Sequence, residues 1–188
     1  MPLGAARFGL ISAVGGSLEL IETQTVTSAV AQVDFTSIDE STYNVHFLTW
    51  NNQQQTSDNK RLIVQFFESG VLETASVYEF ALQFYRGNGT FIESNGTTNA
   101  NLGLCPNTRN TANFSANGYA YFYNFGDSSK YSFMTHQATT VDTSNGYGGQ
   151  FGSGVLPQTS TVDGFRLSMT GGNIDTDTVF SLYGIGFA

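Results

Sequence analysis

The chain has 188 residues, of which 12% are charged, and its formal net charge is −8 at pH 7. This length suits a single domain with its own hydrophobic core. The acidic balance and the scattering of the seven Lys and Arg residues exclude the basic patch that binding to nucleic acid or to an anionic membrane requires. The single cysteine, Cys105, excludes an intrachain disulfide and a cysteine-based metal site, and we expect it to be a small buried hydrophobic residue.

The predicted elements are short strands, because runs of β-branched and aromatic residues alternate with clusters of Gly, Asn, Asp and Ser, without helical periodicity. About ten such strands predict an all-β, antiparallel β-sandwich of jelly-roll type over residues 17–188, preceded by an extended N-terminal arm over residues 1–16. In chain order, the predicted strands cover residues 18–26, 31–35, 43–50, 61–67, 77–85, 91–92, 102–105, 119–125, 130–136, 162–169 and 179–187.

Two pairs of neighbouring strands are predicted to form hairpins. The tight turn Gly-Asp-Ser-Ser joins strands 119–125 and 130–136. The loop Thr-Gly-Gly-Asn at 170–173 joins strands 162–169 and 179–187 in a second, hairpin-like pair.

Three further segments have distinctive patterns. The nearly continuous apolar run at 61–67 predicts a central strand, since a strand covered on both faces loses polar alternation. Residues 94–100 are rich in Asn, Gly and Thr and are predicted to be a loop. Residues 143–154 are rich in glycine and are not assigned to a strand.

The N-terminal arm is apolar and spaced by glycines. A signal peptide is the alternative, but the apolar stretch has the minimum length, contains Gly9 and Ser12, and lacks a clean cleavage site. Because charged residues are depleted where subunits meet, the low overall charge predicts that much of the surface contacts other protein. The alternative is a polar, uncharged surface that faces water. The residues of the arm that we expect to contact a partner subunit are Leu3, Arg7, Phe8, Leu10 and Ile11.

No catalytic constellation is evident in the sequence. The two histidines, His46 and His136, fall inside predicted strands, and no G-x-S-x-G motif is present, so a hydrolytic triad is not indicated. Glycoside hydrolysis needs only two suitably spaced carboxylates, and the sequence does not exclude such a pair. The carboxylates that could supply it are Asp39, Glu40, Glu68, Glu73, Glu79 and Glu93.

One segment partly matches a calcium loop. Asn173, Asp175 and Asp177 place oxygen ligands at alternating positions, but the glycine and the distal glutamate of such loops are missing. The alternative, which we favour, is a turn in which Asn and Asp side chains bond to their own backbone.

Aromatic residues make up 14% of the chain, and some of them are candidates for contact with a glycan. Flat rings offer apolar faces on which sugars pack, although most aromatic residues of a domain fill its core. The candidates are Trp50, Tyr85, Tyr119, Tyr123 and Tyr147.

Several segments together resemble short virion structural proteins of tailed bacteriophages, particularly phages of cyanobacteria and other aquatic bacteria. The resemblance extends over nearly the full length, and its clearest part is the C-terminal strand-loop-strand. The segments that carry it are MPLGAARFGL at 1–10, LELIET at 18–23, GYAYFYN at 118–124, SKY at 129–131, VDGFRL at 162–167, GNI at 172–174 and FSLYGI at 180–185.

This resemblance implies a jelly-roll subunit that is assembled in the host cytoplasm, displayed on the virion and commonly homotrimeric. Its implied partners are other virion proteins of the capsid or the tail. The leading hypothesis is a non-enzymatic capsid-decoration protein. The alternatives are a tail-fibre or receptor-binding module that grips host-surface glycans and, third, a small polysaccharide depolymerase. Neither the residues nor the resemblance indicates a cofactor.

Overall fold

The regular elements of the structure, a computed structural model, are all β-strands within the described residues 18–111, 113–142 and 146–186. Thirteen strands in this part of the chain pair antiparallel in two sheets, which confirms the predicted all-β sandwich. The strands are β1 (Leu18–Thr25), β2 (Gln32–Phe35), β3 (Val45–Gln53), β4 (Leu62–Glu68), β5 (Val71–Leu72), β6 (Tyr78–Arg86), β7 (Phe91–Asn99), β8 (Leu102–Gly103), β9 (Ala116–Tyr123), β10 (Ser132–Asp142), β11 (Gly146–Leu156), β12 (Val162–Met169) and β13 (Val179–Ile185).

The two sheets differ in size. The large sheet has the order β1-β13-β3-β9-β10-β11-β6-β7, and the small sheet has the order β2-β12-β4-β5, with β8 also paired to β4. The predicted hairpin of β9 and β10 is confirmed, with Phe133 opposite Tyr123 and Thr139 opposite Asn117. This hairpin lies at the middle of the large sheet.

The second predicted hairpin is wrong, because β12 and β13 belong to different sheets. β12 lies between β2 and β4 in the small sheet, and β13 lies between β1 and β3 in the large sheet. The loop between them carries the chain from one sheet to the other. Its buried Ile174 exchanges two backbone hydrogen bonds with Val30, of 2.9 and 3.0 Å, and these bonds hold the crossing in place.

Two segments that were not predicted as strands form long ones. Residues 94–100 largely belong to β7, which pairs with β6, and residues 146–154 belong to β11, which pairs with β10 and β6 on its two sides. Pairing on both sides satisfies the backbone of β11 despite its many glycines, which shows tertiary context overriding intrinsic propensity.

The core lies between the two sheets and is rich in aromatic rings. Phe122 of β9 lies near its centre, with ring centroids 5.8 Å from Phe66, 5.2 Å from Phe125 and 5.1 Å from Phe165. In β4, residues Leu62, Val64 and Phe66 are fully buried, and β4 has neighbours on both sides, which confirms the predicted central strand.

One sequence-based expectation is not addressed by these elements. The N-terminal arm, with Leu3, Arg7, Phe8, Leu10 and Ile11, lies outside the described residues. Over residues 18–111, 113–142 and 146–186, no helix has the length and hydropathy needed to cross a bilayer.

Candidate binding surface on the large sheet

The large sheet has an inner face, toward the small sheet, and an outer face. Side chains of a strand alternate between the two faces. In β9, Ala120 and Phe122 are buried, whereas Tyr119, Tyr121 and Tyr123 point away from the core. The paired strands continue this alternation and make the outer face rich in aromatic residues. We call this set the aromatic face, and it comprises Phe47, Tyr85, Phe91, Tyr119, Tyr121, Tyr123, Phe133, Tyr147, Phe151 and Tyr183.

Most rings of the aromatic face pack against one another in two groups. Around Phe47, ring centroids lie 4.6 Å from Tyr121, 5.9 Å from Tyr119 and 6.1 Å from Tyr183. On the other side of β10, the rings of Tyr85 and Phe151 lie 6.4 Å apart. Mutual ring contacts of this kind restrict side-chain rotation and give a preformed apolar surface.

A glycine allows Tyr85 to lie across the sheet. A Cβ atom at Gly149 would stand 2.4 Å from the Tyr85 hydroxyl oxygen and 2.5 Å from the backbone oxygen of Ala138. No side chain fits at that distance, so Gly149 leaves the space that the Tyr85 ring occupies beside Phe151.

Groove A is a shallow, open depression of about 580 Å³ over β13, β3, β9 and β10. Aromatic rings line one part of it, and amide and hydroxyl side chains line the rest. The Tyr119 hydroxyl donates a 2.9 Å hydrogen bond to Oε1 of Gln137, which orients the Gln137 amide. The residues that line groove A on the outer face are Phe47, Thr49, Asn51, Asn117, Tyr119, Gln137, Thr139 and Tyr183.

Groove B is a similar depression of about 620 Å³ over β10, β11, β6 and β7. Both volumes fall within the range of known ligand sites. The two grooves meet at β10, where Gln137 of groove A lies directly opposite Phe151 of groove B. The residues that line groove B on the outer face are Ala81, Gln83, Glu93, Asn95, Thr135, Phe151 and Ser153.

The prediction for Trp50 is wrong, while the other four aromatic candidates lie on the outer face. Trp50 is fully buried, and its indole packs where a Cβ of Gly118 would come within 2.5 Å of it. Tyr85, Tyr119, Tyr123 and Tyr147 are at least partly exposed. Alternation along β3 separates Phe47 from Trp50, but it does not tell which of them faces the other sheet.

Sequence reasoning missed several residues of the aromatic face. Tyr121 lies between the candidates Tyr119 and Tyr123 and shares their alternation in β9. Phe47 and Tyr183 are placed beside Tyr121 by the pairing of β3 with β9 and with β13. Phe151 lies in the glycine-rich segment, where no strand was predicted. Alternation in β9 was the available signal for Tyr121, whereas Phe47 and Tyr183 depend on strand pairing, for which the sequence gives no local signal.

Both histidines lie on the inner face and are buried. His46 donates from Nε2 to the backbone oxygen of Ile38, 2.7 Å away, and His136 Nε2 lies 2.7 Å from Nε2 of Gln150. The same Gln150 nitrogen donates to the oxygen of Gly103, so the Gln150 amide donates to a neutral His136 ring. Burial lowers the pKa of both histidines, that of His136 to about 4.

Cys105 is buried, as expected from the sequence. Burial raises the pKa of its thiol to about 12, so the reactive thiolate is suppressed. Its sulfur accepts a 3.4 Å hydrogen bond from the backbone N–H of Leu62, which ties it to the first residue of β4.

Two of the candidate carboxylates, Glu68 and Glu73, are held by neighbouring side chains and backbone. Glu68 and Glu73 lie at the hairpin of β4 and β5, where the Ser160 hydroxyl donates to Glu68 and the Gln158 amide donates to Glu73. Burial raises the pKa of Glu68, whereas the Ala75 backbone N–H lowers the pKa of Glu73.

Two other candidate carboxylates border the aromatic face. Glu93 lies opposite Gln83, four residues along β6 from Glu79. Four residues of strand correspond to about 14 Å, which exceeds the separation used in glycoside hydrolysis.

The partial calcium pattern folds as a turn. Oδ1 of Asp175 accepts a 2.8 Å hydrogen bond from the backbone N–H of Thr176, and the Thr178 hydroxyl donates to the Asp175 backbone oxygen. Within the described ranges, no group of three or more His, Cys, Asp and Glu residues is placed to hold a metal ion. This arrangement agrees with the favoured alternative for this segment.

Comparisons with known proteins give only weak likenesses. No family model and no curated protein matches the chain. The chain is similar to a Bacteroides ovatus protein of unknown function, with 11% identity over 66% of this chain and 45% of that chain and a TM-score of 0.21. It is also similar to an alginate lyase from Alteromonas sp. 272, with 10% identity over 94% of this chain and 76% of that chain and a TM-score of 0.16. For a structure of infectious bursal disease virus, Gt strain, identity is 10%, coverage is 92% and 37%, and the TM-score is 0.13.

The chain thus spans less than half the length of the first of these structures, and all three TM-scores are too low to assign a function.

Proposed function

We propose that this domain is a non-enzymatic virion protein that recognises glycans through its aromatic face. The observation that carries the proposal is the pair of open grooves, A and B, which run beside exposed rings on the outer face of the large sheet. This role corresponds to the receptor-binding alternative of the sequence analysis. In this role the aromatic face is the functional surface of the domain.

The chemistry of the grooves suits a sugar chain. A sugar ring has an apolar C–H face that packs on an aromatic ring, and hydroxyl groups around its rim that both donate and accept hydrogen bonds. Asn and Gln amides also do both, and Tyr and Thr hydroxyls likewise. Tyr119 with Gln137 in groove A, and Phe151 with Gln83 in groove B, place a ring beside such an amide.

The virion part of the proposal is supported by the resemblance of the sequence and by its low charge. Charged residues make up 12% of the chain, a smaller fraction than in an average globular protein. Because charged residues are depleted at interfaces, this composition suits a subunit that contacts other subunits. A homotrimer bound to other tail proteins would display three copies of the aromatic face, and several weak glycan contacts would then add up to avidity.

The grooves give a direct mutational prediction. Replacing both Tyr119 and Phe151 with Ala is expected to lower affinity for host-surface polysaccharide at least tenfold, since each ring contact contributes about 1 kcal/mol and about 1.4 kcal/mol is a factor of ten. Affinity electrophoresis of the full chain in polysaccharide gels measures this change.

The matched control is Tyr131→Ala. Tyr131 is 44% exposed, compared with 38% for Tyr119 and 46% for Phe151, but it lines neither groove. If the control variant loses as much retardation in the gel as the double variant does, the aromatic face is not the binding surface.

Capsid decoration is the second candidate, and one edge of the large sheet favours it. Within the described chain, β1 forms this edge, and it presents exposed Leu18 and Leu20 directly after the predicted arm. An apolar strand edge is a ready surface for pairing with another chain.

Deleting residues 1–16 tests the decoration role. The expected result is that the truncated protein folds but no longer assembles onto particles, because the arm and the β1 edge form the contact. Quantitative gel analysis of purified particles measures the copies that are incorporated. Normal incorporation of the truncated protein would rule out decoration through the arm.

A further inference from the structure

One continuous row of side chains crosses both grooves. Strand register places Thr49, Tyr119, Gln137, Phe151, Gln83 and Glu93 opposite one another on six neighbouring strands. At about 4.8 Å per strand, this row extends over about 24 Å. It is long enough for an extended ligand that lies across the strands.

The two rings in this row are separated by one polar residue. Tyr119 and Phe151 lie two strands apart, which corresponds to about 10 Å. Gln137 lies between them, with its amide oriented by the Tyr119 hydroxyl at 2.9 Å. A single sugar ring cannot cover both aromatic side chains, but a chain of several sugars can pack on both and bond to the amide between them.

The charge of the grooves restricts the ligand further. Among the described residues that line grooves A and B, there is one carboxylate, Glu93, and there is no lysine or arginine. An anionic sugar bound here would lose hydration without gaining a cationic partner, and Glu93 would repel it. The grooves therefore favour an uncharged chain.

Resting on the proposed glycan-binding function, we infer that the ligand is an uncharged, linear glycan longer than a disaccharide. It lies across the strands, packs one sugar on Tyr119 and a later one on Phe151, and hydrogen-bonds to Gln137 between them. Uronic-acid chains and other anionic glycans are excluded by the absence of a cationic partner along the described part of the row.

Isothermal titration of the full chain against two series of oligosaccharides tests this inference. The neutral series consists of cello-, manno- and laminari-oligosaccharides of two to six units, and the anionic series consists of oligoalginates of the same lengths. The expected result is affinity for a neutral series that rises at least tenfold from two units to five, and at least tenfold weaker binding of the oligoalginates.

Single variants locate the chain on the row. Tyr119→Ala and Phe151→Ala should each weaken the binding of the five-unit chain and remove most of its advantage over the two-unit chain, whereas Tyr131→Ala should change neither value. Equal affinity for two and five units, or tighter binding of oligoalginate that weakens with added salt, would overturn the inference and leave glycan binding intact. If neither series shows detectable binding at millimolar concentration, the proposed function itself is overturned.

Discussion

Replacing Phe122 with Ala is expected to lower the free energy of unfolding by about 3–5 kcal/mol, the largest effect that we expect from a single truncation. Phe122 is fully buried, and its ring contacts those of Phe66, Phe125 and Phe165 between the two sheets. Removing the ring deletes these contacts and leaves a cavity that the surrounding rings cannot fill without moving. Urea unfolding, followed by circular dichroism, measures the change.

The control for this variant is Phe133→Ala, on the strand that pairs with β9. Phe133 is on the outer face and 44% exposed, so its truncation should cost far less than that of Phe122. Equal losses in the two variants would contradict the assignment of inner and outer faces, because that assignment alone distinguishes the two residues.

Lowering the pH from 7 to 4 is expected to destabilise the fold by about 3 kcal/mol through His136 alone. The ring has a pKa of about 4 in the folded protein because it is buried, whereas the usual value of 6.5 applies after unfolding. Between these values the unfolded chain binds a proton that the folded chain does not bind. The contribution of His136 is therefore fully present above pH 6.5 and is lost progressively as the pH falls toward 4.

A His136→Gln variant separates this effect from those of other groups. Glutamine keeps an acceptor for the Gln150 amide but has no titrating nitrogen, so the slope of stability against pH should become shallower between 6.5 and 4. Burial also lowers the pKa of His46, which leaves a residual slope of the same sign. An unchanged slope in the variant, measured by urea unfolding at several pH values, would show that His136 does not titrate as the buried ring requires.

Alternation in sequence predicted much of the fold, and its limits are visible in particular strands. The alternating residues of β9 and the apolar run of β4 both gave correct elements. The hydrophobic pattern of each of these strands directly reflects whether one face or both faces are buried. The pairing of β12 with β13 was wrong, because the position of Ile174 against Val30, far apart in sequence, decides where the chain crosses between sheets.

The candidate binding surface was harder to predict than the fold. Tyr119 and Tyr123 were identified from their rings, but Trp50 was misassigned since alternation gives two faces without saying which one meets the other sheet. The row from Tyr119 to Phe151 depends on the register of three strands, β9, β10 and β11. β11 was not predicted as a strand because it is rich in glycine. Register between strands is set by three-dimensional packing, and no local pattern contains it.

A glycan array probed with the full chain tests the central claim, that the aromatic face binds glycans, most directly. We predict saturable binding to a subset of uncharged glycans, which free oligosaccharide competes away and which the double variant Tyr119→Ala, Phe151→Ala loses. If the protein binds no glycan on the array but binds tightly to capsids or tails, the claim is contradicted and the decoration role is favoured.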